Sequence, residues 1–451
     1  MIRDLIQDRA LLSPEQVLMV IQGDKITYKV FNIYIYAMMN LIKAFNKKVN
    51  RLAINLSSRR HTLSALIACN RLNIIPIVLP LKKYQIPNTN YSKIANVDYE
   101  LNDSNCIIQL KNKKNNFQYN YEKNSVQCVL FTSGSGLFPK AVELTFDNIY
   151  NSAKNWNDIF QFNKEEKYLN ILPLHHVSGL SIFFRSIYYN FTQIIYTYNK
   201  SELTEYVNRY KINYISLVPK MVKDIINDIN LCRAIKKIKL TIIGGDAITK
   251  DIYDFLKNNH ISSYISYGMT ESSSGIAGYF INKSDKYDEG YIGFSHKNVK
   301  ISLQGKYIAL QSKNIMKKYV QGKDCKGKFV TNDIGEIKNS RMYFIGRKKD
   351  FIISGGENIY LKTIEDVINC YSIPIQSIVV GYKDKKWGEI PIVLFTSDFN
   401  NIAIEDLMSH CNKNLPQHMR PKHIIRINRI PEFNNQIDYK LIDYYITQSM
   451  K

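Results

Sequence analysis

Between residues 125 and 270 the chain alternates short apolar runs with longer stretches in which apolar residues recur every three or four positions. SVQCVLF (125–131), YLNILPL (168–174), TQIIYTY (192–198), INYISLVP (212–219), LTIIGG (240–245) and YISYG (264–268) have strand length and are rich in β-branched and aromatic residues. FDNIYNSAKNWNDIF (146–160), SGLSIFFRSIYYN (178–190), LTEYVNRYK (203–211), KMVKDIINDI (220–229) and DIYDFLKNN (251–259) carry helical spacing. Strands alternating with helices predict an α/β architecture of layered parallel sheets, because a parallel crossover needs a helix and lays it on the sheet face. From 285 to 345 the runs shorten to VKISLQ, KYIALQ and MYFIG among turn residues, which predicts a small β-rich subdomain. Beyond GRKKD (346–350), helix-like IEDVINC and IEDLMSHCNKNL mix with strand-like SIVVGYK, IPIVLFT and HIIRINRI. The expected division is therefore a large N-terminal domain, 1–349, and a smaller α+β domain, 350–451, joined at the charged segment Arg347–Asp350.

In open α/β sheets ligands gather beyond the carboxyl ends of the strands. Four turn-rich stretches fall at such ends: TSGSG after Phe131, HHVSG after Leu174, GGDA after Ile243 and YGMTES after Ser266. In the first, Thr132, Ser133, Gly134, Ser135 and Gly136 supply bared amides and hydroxyls, and Lys140 supplies charge. That is the chemistry of a concave site for phosphate oxygens. It is not a Walker A loop, which closes on Gly-Lys-Ser/Thr. Taken alone, the stretch fits an ordinary turn equally well.

Composition narrows the class of protein. A chain of 451 residues, 45% hydrophobic and 12% aromatic, has enough apolar material for two or three folded domains. The formal charge of +22 raises nucleic-acid binding, yet Lys, Asn, Ile and Tyr are abundant from end to end and no basic block stands out. The charge is read as a habit of composition, with no nucleic-acid partner. Seven cysteines without CxxC pairs predict a reducing, cytoplasmic setting. Runs such as NIIPIVLPL (73–81) are far too short to span a bilayer, so no membrane span is expected. The oligomeric state is left open, from monomer to homo-oligomer.

TSGSGLFPKAV (132–142), YGMTE (267–271) and GRKKDFIISGGENIY (346–360) occur in that order. Together they resemble the adenylate-forming superfamily of acyl-CoA synthetases, peptide-synthetase adenylation domains and luciferases. Within it, LPLHHVSGLSIFFRS (172–186), YISLVPKMV (214–222) and IIGGDAITK (242–250) look like the o-succinylbenzoate–CoA ligases of menaquinone synthesis. The resemblance implies a large N-terminal domain, a mobile C-terminal domain, and ATP, Mg²⁺ and coenzyme A acting on a small-molecule carboxylic acid. It implies that the 132–136 loop and Lys140 embrace the β- and γ-phosphates, that Thr270 binds the α-phosphate and that Glu271 holds the metal. Gly245, Asp246, Tyr267 and Gly268 would border the adenine, and Asp333 with Arg347 the ribose. His176 would close the acyl pocket, Arg185 would face the acyl substrate, Asp350 would be the hinge, and Gly355 and Gly356 would reach the pantetheine channel.

Three departures from the family pattern stand out. Leu137 replaces a glycine in the phosphate loop. PEFNNQ (431–436) places Gln436 where the adenylation lysine belongs, keeping a donor and losing the charge. NIYLKTIE has Leu361 and Thr363 in place of the usual Pro and Glu. Two alternatives follow: a ligase for another aryl or acyl acid, and a degenerate homologue with impaired adenylation.

Overall fold

The computed structural model describes the chain apart from residues 46–47, 82–84, 86–88, 111–117, 133–138, 355–356, 400–401, 434–435 and 450–451. Contacts divide it into two units, one drawn mainly from 1–344 and one mainly from 345–451, with Asn332–Ile334 grouped with the second.

The first unit holds two large sheets. One has nine strands in the order Phe294–Ser295, Ser274–Phe280, Ser263–Met269, Leu240–Gly244, Tyr214–Leu217, Lys167–Asn170, Thr192–Ile195, Val17–Ile21 and Asp24–Thr27. Its six inner strands, from Ser263–Met269 to Val17–Ile21, run parallel, and antiparallel strands close both edges. Burial on both faces explains why the inner strands read as unbroken apolar runs rather than alternating ones.

The other sheet has six strands in the order Lys318–Tyr319, Lys140–Thr145, Val126–Thr132, Ile75–Val78, Arg51–Asn55 and Tyr99–Asn102. The alternation at 125–270 therefore feeds two sheets: SVQCVLF enters the six-stranded one and the five later runs enter the nine-stranded one. The reason is local. Val126–Thr132 pairs antiparallel with the next strand, Lys140–Thr145, and this hairpin keeps both in one sheet.

Helix Phe146–Phe160 starts from a reciprocal cap. Asn148 N donates to Thr145 Oγ1 at 3.1 Å, and Thr145 N donates to Asn148 Oδ1 at 2.9 Å. Its residues Ile149, Ala153, Trp156 and Phe160 recur at helical spacing and are buried. Trp156 and Phe160 enter an aromatic core with Phe162, Tyr168, Tyr214 and Tyr264. KMVKDIINDI forms a helix as expected, Pro219–Ile226, and a second helix, Ile229–Ile235, begins at its last residue. The Asp228 carboxylate accepts the N–H groups of Asn230 and Leu231 and so starts the second. The β-rich stretch forms a four-stranded sheet of Lys300–Gln304, Tyr307–Gln311, Lys328–Lys338 and Arg341–Arg347.

The second unit is a five-stranded sheet (Glu357–Tyr360, Phe351–Ser354, Gly388–Thr396, Gln376–Asp384, His423–Arg426) with helices Leu361–Asn369, Ile404–Asn414 and Tyr439–Ser449. Strand Gly388–Thr396 serves both faces by its period of two. Val393 and Phe395 pack with Ile364, Ile368 and Leu407, while Ile392 and Leu394 pack with Ile442 and Ile446. Among the described residues no helix is long and apolar enough to cross a membrane.

Candidate functional site

The two sheets of the first unit each deliver one charge to a single tyrosine. Lys140 opens strand Lys140–Thr145 and pairs with Thr132 across the hairpin; Ser133, Gly134, Ser135, Gly136 and Leu137 lie outside the described residues. On its other side this strand pairs with Lys318–Tyr319, and Lys140 Nζ stands 4.9 Å from the centroid of the Tyr319 ring. The Tyr319 hydroxyl donates to Glu271 Oε1 at 2.7 Å. Glu271 comes from the nine-stranded sheet, on the 3₁₀ turn Thr270–Ser272 that follows strand Ser263–Met269. Burial, then the Glu271 carboxylate, raise the Tyr319 pKa, so the phenol stays a donor at neutral pH. Thr132, Lys140, Thr270 and Glu271 thus belong to one constellation.

The backbone around Thr270 and Glu271 is tightly constrained. At Gly268 a Cβ would lie 2.2 Å from the Ser274 carbonyl oxygen, so only glycine lets the return strand approach with Gly268 opposite Gly275. Ser273 and Ser274 then take φ of +55° and +112°, costly for a residue with a side chain, at about 1–3 kcal/mol each. Six hydrogen bonds hold the segment Ser272–Ser274. Ser152 Oγ donates to Ser273 O (2.7 Å), Ser273 Oγ to Asn314 O (2.8 Å) and Asn314 Nδ2 to Ser272 O (3.1 Å). Ser274 Oγ meets Trp156 Nε1 (3.0 Å), Arg185 Nη2 (3.1 Å) and Ser152 Oγ (3.1 Å). At roughly 0.5–1.5 kcal/mol net per bond, the set is sufficient to offset the strain.

Along the same sheet edge, Gly244 pairs with Ser266, so Gly245 and Tyr267 follow side by side. Gly245 has φ +93°, and the exposed Asp246 accepts Ala247 N at 2.8 Å. His176 precedes helix Val177–Tyr189 and is exposed, its ring 4.4 Å from that of His175. Burial lowers the His175 pKa to about 3, so that ring is neutral near pH 7.

Arg185 is not the exposed helical arginine its position in the sequence allows. It is 3% exposed, stacked 4.3 Å from the Trp156 ring, with Nη2 bonded to Ser181 Oγ and Ser274 Oγ. Its Nε is buried without a hydrogen-bond partner, and burial lowers its pKa to about 10. No carboxylate pairs with it among the described residues. A small cavity beside it is lined by Leu130, Ala153, Leu180, Ser181, Arg185 and Ser273, and is apolar apart from the hydroxyls and the guanidinium. A buried cation without a carboxylate costs several kcal/mol, which stacking on Trp156 and the bonds to Ser181 and Ser274 offset in part.

In the second unit, Asp333 is buried, with Oδ1 3.5 Å from Arg347 Nε. Arg347 N donates to Asp350 Oδ2 at 2.7 Å, closing the 3₁₀ turn Lys348–Asp350. Gly355 and Gly356 lie outside the described residues. Gln436 pairs with Phe433 in a two-residue ladder, and its side chain is likewise outside them.

Sequence reasoning missed Tyr319, Trp156 and Ser274. Tyr319 is one tyrosine among 32 in a stretch, MKKYV, without motif character. Trp156 reads as an ordinary core position of its helix. Ser274, two residues past Ser272, carried a signal only in the serine run ESSSG.

Glu271 beside the Thr270 hydroxyl suits Mg²⁺, which takes one or two protein carboxylates and completes its shell with phosphate oxygens and water. Among the described residues no group of three His, Cys, Asp or Glu gathers for a metal, so the ion would lean on the nucleotide.

The family described as AMP-binding enzyme matches residues 80–308, and AMP-binding enzyme C-terminal domain matches 363–436. The 2-succinylbenzoate–CoA ligase of Staphylococcus aureus (strain MRSA252) is 26% identical over 383 residues, covering 78% of this chain and 76% of that one. The ligase of the same description from Bacillus subtilis (strain 168) is 24% identical over 464 positions, 94% of each chain. Among solved structures, o-succinylbenzoate CoA synthetase from Bacillus subtilis with the acyl-adenylate intermediate OSB-AMP aligns with a TM-score of 0.83 at 23% identity, over 98% of both chains. The same protein with ATP and magnesium ion gives 0.80 at 22%, over 98% of this chain and 99% of that one. These likenesses establish the fold.

Proposed function

Since the chain belongs to the AMP-binding enzymes, we propose that it is an AMP-forming ligase joining a small carboxylic acid to coenzyme A, and that the acid is o-succinylbenzoate. In the first step a carboxylate oxygen attacks the α-phosphorus of ATP and pyrophosphate leaves. In the second the coenzyme A thiol attacks the acyl carbon, its proton passes to solvent, and AMP leaves. The observation that carries this reading is the convergence of Lys140 and Glu271 on Tyr319. A cation for the β- and γ-phosphates and a carboxylate for Mg²⁺ are fixed at one strand-end site, which is what transfer through a dispersed phosphate charge requires.

In this reading the 132–136 loop and Lys140 take the β- and γ-phosphates, Thr270 the α-phosphate and Glu271 the bound Mg²⁺. The ion supplies charge neutralisation at the leaving pyrophosphate. Gly245, Asp246, Tyr267 and Gly268 border the adenine, and Asp333 with Arg347 holds the ribose hydroxyls. His176 lies at the acyl end. The buried Arg185, whose Nε has no hydrogen-bond partner, supports an acid that carries a second anionic group. Asp350 is the hinge between an N-terminal domain of 1–349 and a C-terminal domain of 350–451, and Gly355 and Gly356 admit the pantetheine arm. The seven cysteines support a cytoplasmic setting.

The test is pyrophosphate release with ATP, Mg²⁺, coenzyme A and a panel of acids, with hydroxylamine trapping of the adenylate. Turnover with o-succinylbenzoate alone supports the assignment, turnover with a different acid transfers it to that acid, and none with any acid rejects it. Gln436 favours a second reading, a degenerate homologue with slowed adenylation. Gln436→Lys is expected to raise the adenylation rate of such an enzyme by up to about 10²-fold, the scale of one charged transition-state donor.

A further inference from the structure

The bonds that converge on Ser274 do more than satisfy one hydroxyl. Ser274 is 6% exposed and holds φ +112°, a conformation a side chain rarely adopts, yet it receives N–H groups from two separate helices: Trp156 Nε1 of Phe146–Phe160 and Arg185 Nη2 of Val177–Tyr189. Ser152, one turn before Trp156, bonds both the Ser274 hydroxyl and the Ser273 carbonyl. Trp156 also packs flat ground for the return strand, since a Cβ on Gly275 would sit 2.4 Å from its ring. All of this converges on the residues that directly follow Thr270 and Glu271.

We infer that Ser152, Trp156, Arg185 and Ser274 form a positioning device that sets the orientation of Thr270 and Glu271, and through them of the nucleotide phosphates and their Mg²⁺. The inference rests on the reading of Thr270 and Glu271 given above. The turn spans only Thr270–Ser272, so the backbone direction at Ser273–Ser274 fixes where the Glu271 carboxylate points, and that direction is a strained one that relaxes if its bonds are lost. A loose carboxylate still attracts Mg²⁺ but no longer places it on the α- to γ-phosphate oxygens, and misplacement of about 1 Å is costly in such sites. Trp156 and Ser274 touch no reacting atom and act through the turn, whereas Arg185 holds the turn through Nη2 and leaves its Nε to the acid.

Two substitutions at one residue separate positioning from mere stability. Ser274→Ala removes the hydroxyl and keeps the strained φ; Ser274→Gly removes the same hydroxyl and relieves the strain. Calorimetric titration of each with ATP, with and without Mg²⁺, is paired with thermal unfolding and with hydrogen exchange across residues 269–274. Both variants are expected to lose about tenfold of the Mg²⁺-dependent gain in ATP affinity, the scale of one lost hydrogen bond to a fixed group, and to exchange faster in that segment. Ser274→Gly should unfold at a higher temperature than Ser274→Ala while binding no better. Trp156→Phe, which keeps the ring and removes the N–H, should repeat the binding defect. If Ser274→Gly regains wild-type binding along with stability, or if all three variants bind as the wild type does, the device is structural only and the inference falls. If the wild-type chain itself shows no Mg²⁺-dependent ATP binding, the phosphate reading of Thr270 and Glu271 fails first and takes this inference with it.

Discussion

Two three-residue 3₁₀ turns, Thr270–Ser272 and Lys348–Asp350, begin with the same local device. In each, the third residue's side chain reaches back to the N–H before the turn: Met269 N donates to Ser272 Oγ at 3.0 Å and Arg347 N to Asp350 Oδ2 at 2.7 Å. Their surroundings differ. The first runs into Ser272, Ser273 and Ser274, buried and held by Ser152, Trp156, Arg185 and Asn314. The second is flanked by an Arg347 side chain that is 44% exposed, whose 3.5 Å approach to Asp333 is an ion pair worth little in solvent. Local hydrogen bonding selects the turn, whereas buried partners from other segments decide whether it is fixed or free to swing. The proposed roles follow that difference, with a metal-binding carboxylate on the fixed turn and a hinge on the free one.

The fixed turn is the more sensitive of the two to substitution. Glu271→Gln keeps the size and the contact with Tyr319 but removes the charge. Adenylate formation should fall by roughly 10²–10³, as for loss of one preorganised transition-state contact. Thermal stability should change little, and single-turnover trapping with hydroxylamine measures the loss. An unchanged rate would show that the carboxylate is not where the nucleotide's metal sits.

Tyr319→Phe should act on the same turn more gently. It removes one hydrogen bond to a charged group, worth about 1.5–3 kcal/mol, so the apparent Mg²⁺ affinity should weaken roughly 10- to 100-fold, read from the metal dependence of pyrophosphate release. At the free turn, Asp350→Ala removes a cap worth ~1 kcal/mol, and only the coenzyme A step is expected to slow, about fivefold, with adenylation unaltered. Equal slowing of both steps by Asp350→Ala would erase the distinction between the turns.

How much of this was readable in advance divides along the same line. The strands and helices of 125–270 were legible because both faces of the inner sheet are covered, which writes itself into continuous apolar runs such as LTIIGG. Glu271 and Lys140 were legible because motif spacing encodes which residues lie at strand ends. What brings them together was not. Tyr319 joins them from a strand that pairs with Lys140–Thr145 across some 180 residues of chain, and pairing register leaves no local trace. Likewise Arg185 at helical spacing is indistinguishable from a solvated arginine until Trp156 and Ser274 are seen against it. The second helix that begins at Ile229 was readable in principle, since Asp228 is a strong N-cap residue just before it.

Acid provides the mildest and most selective probe. His296 is buried, its ring 5.3 Å from that of Trp156 and its Nε2 3.0 Å from the Tyr264 hydroxyl. Burial, aided by the charge of Arg185, lowers its pKa to about 3, as burial does for His175. The folded chain therefore leaves both rings neutral while the unfolded chain protonates them below about pH 6.5. Between pH 6.5 and 5 the unfolded state binds more protons, so stability falls as pH falls, approaching about 1.4 kcal/mol per pH unit for each fully responding ring. The two tryptophans report the two units separately: Trp156 is buried beside His296, and Trp387 is 43% exposed in the second unit. In a Trp387→Phe background the Trp156 denaturation midpoint should drop across this window, whereas in a Trp156→Phe background the Trp387 midpoint should move less. His296→Gln, which keeps a partner for Tyr264 but does not titrate, should flatten the first slope. An equal slope at both reporters, or one untouched by His296→Gln, would mean that the acid response does not originate beside the fixed turn.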